Sequence, residues 1–587
     1  MGVKGVVRRQ RYAALVAVVL AVAGLGCMAQ SAAAAVGDIS YDGCVSADGS
    51  GGLCAVASPA LFGPEGVAVS PNGGSVYVAS YHSVTHFFAA PQGQLSYDGC
   101  ISDDGTGGSC VDAPGSPFNN AQSVAVSPDG RSVYVVGTYA GTVDHFFAAP
   151  QGQLSYDGCI SNDGSGGLCV DAPGSPLDHP TSVAVSPDGK SVYVTSGVSN
   201  SIAHFFVAPQ GQLSYDGCVS SDGSGGFCAD APGTPLDGAD GVAVSPDSRS
   251  VYVVSGFSNT VTHFFAAPQG QLSYDGCVSD NGSGGLCADA PGSPLNAPTA
   301  VAVSPDGRSV YTTSGNGNAV VHFTAAPQGQ VTYDSCISDS GSGGSCFDAP
   351  GTPLTSPRAL AVSPDGASVY VASLTSASIA RFSVGSGGKL TYVGCASDDG
   401  SAGLCTDLPG NPLLNTAGVA VSPNGGSVYA TAAVGEDIAH FFRATTGGGG
   451  GGGGSSTPTL SGLTISPQGF AAAKSGASVA KATGAKVSFS LNIAAGVRFT
   501  VQRTVTGRRQ NGKCLATTHK NRHHSHCQRV IKFGSFTVNG VAGANSFHFT
   551  GRVSGHRLGS GGYTLVAVPS AGGKTGKQAS VHFSIHS

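Results

Sequence analysis

Seven cysteine pairs recur along this chain at an almost constant interval, and that interval limits the folds open to it. The first member of each pair is Cys44, Cys100, Cys159, Cys218, Cys277, Cys336 or Cys395, one step of 56 residues followed by five of 59. Between them the chain repeats one unit, seen clearly from Ser214 to Leu272. It holds four runs of strand character: GVAVSP from Gly241, SVYVVS from Ser250, TVTHFFAA from Thr260 and QLSYDGC from Gln271. They are called strands A, B, C and D below. Short β-branched runs separated by Gly, Pro and Asp turns, at this period, read as a radial array of small sheets and not as a helical solenoid. The expected fold is all-β, a seven-bladed β-propeller. The apolar residues are near-continuous within each run, which suits strands covered on both faces. The chain also starts its first copy at a D strand, ISYDGC from Ile39, and ends its last at a C strand, IAHFFRA from Ile438. Seven complete blades then exist only if the N-terminal strand closes the last one, which removes an open sheet edge.

Residues 1–35 resemble a secretion signal. Lys4, Arg8, Arg9 and Arg11 form a positive start, Ala13 to Leu25 an apolar stretch too short to span a bilayer, and SAAAA a cleavage site expected after Ala35. Arg8 and Arg9 do not extend into a full twin-arginine motif, and Cys27 has Gly24 where a lipidation motif calls for Leu. The expected destination is therefore outside the cell or on its surface. Export implies an oxidising compartment, so the local cysteine pairs read as disulfides. These are Cys44–Cys54, Cys100–Cys110, Cys159–Cys169, Cys218–Cys228, Cys277–Cys287, Cys336–Cys346 and Cys395–Cys405, with Cys514–Cys527 as an eighth pair.

The propeller region is expected over residues 36–446, followed by a Gly/Ser linker over 447–457 that opens with eight consecutive glycines. Six or so short alternating strands over residues 458–587 suggest a small immunoglobulin-like β-sandwich without Trp. Charge separates the two regions. The sandwich holds 16 Lys and Arg, eight His and no acid, whereas the propeller holds 34 acids against eight bases, a formal charge of −26. A basic module of this kind can take an anionic surface polymer, with Lys513, Lys520, Arg522 and Arg529 as candidate contacts. The run from Lys513 to Arg529 also gathers Cys514, His519, His523, His524, His526 and Cys527, but without fixed metal-ligand spacing. A disulfide-closed hairpin is the expected reading there, with no metal.

The repeated VAVSPDGxSVYVxS, followed by a VxHFF strand, resembles the YVTN-type, lactonase-like seven-bladed propellers of bacteria over residues 36–444. The resemblance implies the fold; one propeller architecture hosts unrelated chemistries. Residues present in every blade are expected to maintain the blade. His86, His145, His204, His263, His322 and His440, replaced by Arg381 in the sixth copy, are thus read as packed histidines bonded to backbone. The Asp of each YDGC and Asp112, Asp171, Asp230, Asp289, Asp348 and Asp407 are read as turn residues. No cofactor is expected, with Ca²⁺ in the Asp- and Gly-rich loops as the alternative.

A site on a propeller axis is made from residues that break the symmetry. Two residues before each VAV the chain reads Glu65, Gln122, Thr181, Asp240, Thr299, Arg358 and Ala417. Glu65, Gln122, Asp240 and Arg358, with His179 nearby, are the candidate ligand residues at the axial mouth. Such a ring suits a small polar ligand or partner, and the protein reads first as an exported binding or surface-interaction module. The alternatives are a lactonase-like hydrolase or lyase, and a structural envelope protein. The enzyme alternative meets a departure: the family's enzymes carry a His after the Arg of SPRALAVSPDG, and this chain has Ala359 there. No G-x-S-x-G, H-E-x-x-H or P-loop is present. Only His179 among the nearby residues is expected to titrate near neutral pH.

Overall fold

The computed structural model describes residues 35–57, 61–445 and 458–586, except 475–478, 481–483, 492–494, 511, 541–542, 554–555 and 572–573. The segment expected to be a secretion signal, Cys27 included, and the glycine linker lie outside the described residues.

Seven five-stranded sheets form a ring of blades. In blade 4 the order outward is A (Ala239–Val244), B (Ser250–Ser255), C (Thr260–Ala266), D (Leu272–Ser279) and E (Ala288–Asp289). Blade 7 takes A, B and C from Thr416–Val421, Ser427–Ala432 and Asp437–Arg443, and D and E from Ile39–Ser46 and Ala55–Val56. The N-terminal strand therefore closes the ring, pairing antiparallel from Ile39↔Arg443 to Ser46↔Asp437.

Strand E is a fifth, two-residue strand that periodicity did not reveal. Each ring disulfide holds its two Cα atoms 4.6–4.8 Å apart. The residues after the two cysteines are thereby set side by side in parallel register, as in Ile101↔Val111 and Ser102↔Asp112. Asp112, Asp171, Asp230, Asp289, Asp348 and Asp407 accordingly stand on exposed strand edges and not in turns. All eight cysteine pairs form disulfides, Cys514–Cys527 included.

The A–B turn chemistry follows from its Ser-Pro-Asp. In blade 4 the Ser245 hydroxyl donates to Asp247 and accepts from the Ser250 N–H, while Asp247 also accepts from the Arg249 N–H. Strand B is buried along its whole length in every blade. The core lies between blades, so that Tyr252 of blade 4 packs with Val301, Val310 and Phe323 of blade 5. Burying such side chains contributes roughly 1.5–3 kcal/mol each.

The blade histidines are packed, as expected, but their partners differ from the expectation. His204 Nδ1 meets Asp216 at 2.9 Å and His204 Nε2 meets the Ser191 hydroxyl at 3.0 Å, so the ring is held by side chains and not by backbone. The reason is a bulge. His204 pairs with Gly217 and Phe205 with Tyr215, which leaves Asp216 as the extra residue of strand D. A bulge residue leaves the ladder and is re-aimed; here its carboxylate turns to the histidine, so the YDGC aspartates are histidine partners and not turn residues. The same contact recurs at His86–Asp98, His145–Asp157, His263–Asp275, His322–Asp334 and His440–Asp42. Burial lowers the pKa of each histidine, and its aspartate opposes that shift only in part.

Adjacent blades are tied by one further bond. The buried Tyr193 hydroxyl donates to the carbonyl of Gly270, in the C–D turn of the next blade, at 2.8 Å. Gly270 must be glycine, since a Cβ there would lie 1.9 Å from Ser191 Oγ and 2.5 Å from His204 Nε2. At the seam, Gly37 takes the place of that turn glycine and accepts from Tyr370. Arg381, in the histidine position, reaches across to Asp38 and to the carbonyl of Val36.

The C-terminal region is a β-sandwich. One sheet runs Leu460–Ser466, Ala485–Leu491, Gly543–Phe549 and Val479–Ala480; the other runs Gly469–Ala471, Ala579–His586, Gly561–Ala571 and Ala495–Gln510, the last also paired with His526–Gly540. Phe489, Phe499, Phe549 and Phe583 share the core between them. Strand 495–510 pairs with 561–571 only from Gly496 to Gln502, but with 526–540 as far as Arg508. Its far end is thus an arm that, on the side away from 526–540, pairs only with the short strand Lys513–Leu515, and it is closed by Cys514–Cys527.

Candidate functional site

The innermost A strands of neighbouring blades touch all around the ring. The seven variable residues sit in irregularities of these strands. The register jumps from Pro64↔Ser80 to Val67↔Val78 across Glu65, from Ala239↔Ser255 to Val242↔Val253 across Asp240, and from Pro357↔Ser373 to Ala359↔Ala372 across Arg358. Bulges of this kind re-aim side chains and are common beside active sites.

The bulges leave backbone carbonyls unpaired, and hydroxyls from adjacent blades bind them. Thr431 donates to Glu65 O at 2.6 Å, Thr181 to Asp240 O at 3.0 Å and Thr299 to Pro357 O at 2.9 Å. Thr181 and Thr299 are spent in this way on architecture. Gly66 allows close approach at the same level, since a Cβ there would lie 2.7 Å from the carbonyl of Gln122. Gln122 is half-buried at its own bulge, between Ala121 and Ser123.

The charged members of the ring converge. Arg358 of blade 6 donates to Glu65 of blade 1, Nη2 to Oε2 at 3.4 Å, with the arginine side chain 41% and the glutamate 22% exposed. An ion pair this open to solvent contributes only about 0–1 kcal/mol to stability, so its place at the axis is not explained by folding. Asp240 of blade 4 retains some solvent contact. Loss of solvation nevertheless pushes its carboxyl up to about 6, with Arg358 pulling it down and Glu65 pushing it further up. Asp240 is thus in the field of both other charges.

His179 precedes strand A of blade 3 at φ 56°, its Nδ1 meets Asp178 at 2.9 Å, and its ring meets Tyr139 edge-on at 5.5 Å. Asp240 is the member of the ring whose carboxyl is raised, to about 6, a property that sequence reading did not assign to it. A carboxylate draws attention at neutral pH only through its surroundings, and those come from three distant blades.

Among the described residues, one group of potential metal ligands converges: Cys44, Cys54 and Asp437. Its two sulfurs are joined as a disulfide and offer no thiolate. The loop aspartates Asp104, Asp163, Asp222 and Asp399 each accept from the N–H two residues on, and Asn281 and Ser340 do the same in their blades.

The basic candidates of the sandwich fall on the hairpin arm. Lys513 and Lys520 are exposed, Arg529 is half-exposed opposite Val505, and Arg522 donates to His523 Nε2 at 3.0 Å and lies 3.2 Å from His519 Nε2. Arg503, at the root of the arm, lies over the Tyr563 ring at 4.2 Å.

The architecture defines a closed seven-bladed propeller whose axis carries an asymmetric set of charges. Residues 227–396, which include Asp240 and Arg358, match the family model described as Lactonase, 7-bladed beta-propeller. This confirms the resemblance to lactonase-like propellers read from the repeat. Among solved structures, the periplasmic gluconolactonase of Pseudomonas aeruginosa is similar at 19% identity, over 57% of this chain and 85% of that one, with a TM-score of 0.40. Hydrazine synthase of Kuenenia stuttgartiensis is similar at 15% identity, over 65% and 96%, with a TM-score of 0.38. No protein of curated function matches the chain.

Proposed function

We propose that the axial trio is a lactone-hydrolysing site in an exported protein. The observation that carries this reading is a carboxyl raised to about 6, Asp240, in the field of a guanidinium, Arg358, that a second carboxylate holds. A general base works best with a pKa near the operating pH. In the reaction, Asp240 takes a proton from water as the water oxygen bonds to the lactone carbonyl carbon. The carbonyl electron pair moves onto oxygen, facing Arg358. Collapse breaks the ring C–O bond, Asp240 returns its proton to the leaving oxygen, and an open hydroxy acid results. Export agrees with the eight disulfides, and among the described residues no helix is long and apolar enough to cross a membrane.

A panel of sugar lactones tests this. Asp240→Asn is expected to lower kcat by about 10²–10⁴ and Arg358→Ala by roughly 10²–10³, the usual worth of a general base and an oxyanion donor. Because the pKa of Asp240 is raised to about 6, the native rate should fall tenfold per pH unit below that value as the base becomes protonated. Full turnover in Asp240→Asn would sink the mechanism. Binding without turnover, abolished by Arg358→Ala and Glu65→Ala, would instead make the axis a receptor for a small polar ligand. Ala359, where the family's enzymes carry His, favours that second reading.

The hairpin arm supports a separate contact with an anionic cell-surface polymer, since the whole region after Pro458 carries bases and no acids. Binding of the full chain to polyphosphate or teichoic acid should weaken steeply with salt, as counterion release requires. Charge reversal at Lys513, Lys520, Arg522 and Arg529 should weaken it further. Retention that ignores salt would refute the contact.

A further inference from the structure

The single short step of the repeat has a structural consequence in blade 1. Two of its three missing residues come from the connection between strands B and C. That connection is only Tyr81 and His82, where blade 2 has residues 138–141 and blade 3 residues 197–200. The third comes from the connection that precedes strand A.

The long connections carry an asparagine that bridges to the next blade. Asn200, Asn259 and Asn318 accept from the N–H of Gly238, Ala297 and Ser356, each immediately before a strand A. In blade 1 the backbone carbonyl of Tyr81 binds the equivalent N–H, that of Asn120, at 2.8 Å. The next residue, His82, turns instead to Asp103, Nδ1 to Oδ2 at 3.2 Å. The counterparts of Asp103 in other blades, such as Asp280, also hold a backbone N–H, as Asp103 holds that of Phe118. The histidine partner of Asp103 is peculiar to blade 1.

Beside this short connection lies a cleft of about 490 Å³. Phe62 stands on its wall, 58% exposed, with its ring edge-on to Tyr81 at 6.2 Å. His82, Asp103, Asp104, Thr106 and Asn119 supply the polar lining. An exposed aromatic face beside carboxylates, an amide, a hydroxyl and an imidazole matches a pyranose. The apolar C–H face of a sugar ring covers the aromatic, while its hydroxyls meet donors and acceptors around the rim. The volume lies within the range of small-ligand sites. Two carboxylates on the lining select against acidic sugars.

We infer that this blade 1 cleft is a binding site for a neutral hexopyranose unit, separate from the axial trio and independent of the function proposed for it. A site among the connections of blades 1 and 2, outside the symmetric pattern, would let the protein hold a glycan while the axis acts on a small molecule.

Saturation-transfer NMR on the full chain with methyl β-galactoside, cellobiose and maltotriose tests the inference, with glucuronic acid and choline as contrasting probes. Transfer to the ring C–H protons of at least one neutral sugar is expected, and none to glucuronic acid. Phe62→Ala should weaken the interaction at least tenfold without altering lactone turnover or the unfolding curve, because Phe62 is exposed. Replacing Tyr81-His82 with the four-residue connection of blade 3 should fill the cleft and abolish transfer. No transfer from any neutral sugar, binding of choline alone, or sugar binding that survives both variants would overturn the assignment.

Discussion

Removal of residues 36–46 should leave an open ring that aggregates and no longer unfolds cooperatively. The segment supplies strand D of blade 7, and its loss exposes the edge of Asp437–Arg443, an unpaired strand of the kind that recruits other chains. It also removes the acceptor of the Tyr370 hydroxyl, one half of the Cys44–Cys54 disulfide and both partners of Arg381. Arg381 is 5% exposed, and a buried charge stripped of its partner costs about 3–5 kcal/mol. A disulfide of this loop length adds about 2.5–3 kcal/mol. Together these rival the entire net stability of a typical domain, about 5–15 kcal/mol. The narrower substitution Arg381→His restores the residue of the other blades and should cost about 1–3 kcal/mol, less than full burial would imply because Asp38 keeps 38% of its side chain exposed. Urea unfolding and light scattering read both effects. A 36–46 deletion that unfolds like the intact chain would show that another segment closes the ring.

Reduction of the ring disulfides should be the second large effect. Each bridge spans a sequence separation of ten. Seven such bridges give a chain-entropy total of about 20 kcal/mol as an upper figure. The realised loss should be smaller, because the same loops are also held by capping bonds such as Thr106 N–H to Asp104 at 2.7 Å. Loops of successive blades also pack closely: Leu286, beside Cys287, lies against Gly233, where a Cβ would come within 2.6 Å of it. Protein reduced and alkylated in mild denaturant should therefore melt at least ten degrees lower than the oxidised form, by about the few kcal/mol that such a shift represents. Proteases should cut first in the Gly-rich loops between paired cysteines. Melting within a degree or two of the oxidised protein would mean that the capping bonds alone hold the ring.

The local and repeated features of this protein are set by sequence. The period, seven blades, four of the five strands in each, the disulfide partners and the closing role of Ile39–Ser46 all follow from patterns within about 60 residues, and from a count of strands at the two ends. Strand E escaped because two residues are too few to show a period; its pairing comes from the adjacent disulfide. The YDGC aspartates escaped because a bulge, which one unpaired residue defines, decides whether a side chain faces the turn or the neighbouring histidine. The placement of the variable residues at the axis was readable, but their relation to each other was not. Glu65 and Arg358 are 293 residues apart and meet only because the ring closes, and the pKa of Asp240 is raised by the protein packed around it, a shift that Arg358 opposes and Glu65 reinforces. The cleft of blade 1 shows the same division: a step of 56 instead of 59 is plain in the chain, but a deletion has no direction until neighbouring blades surround it. Spacing along a chain determines which elements form, whereas charge, solvation and open space depend on what ring closure brings within a few ångströms.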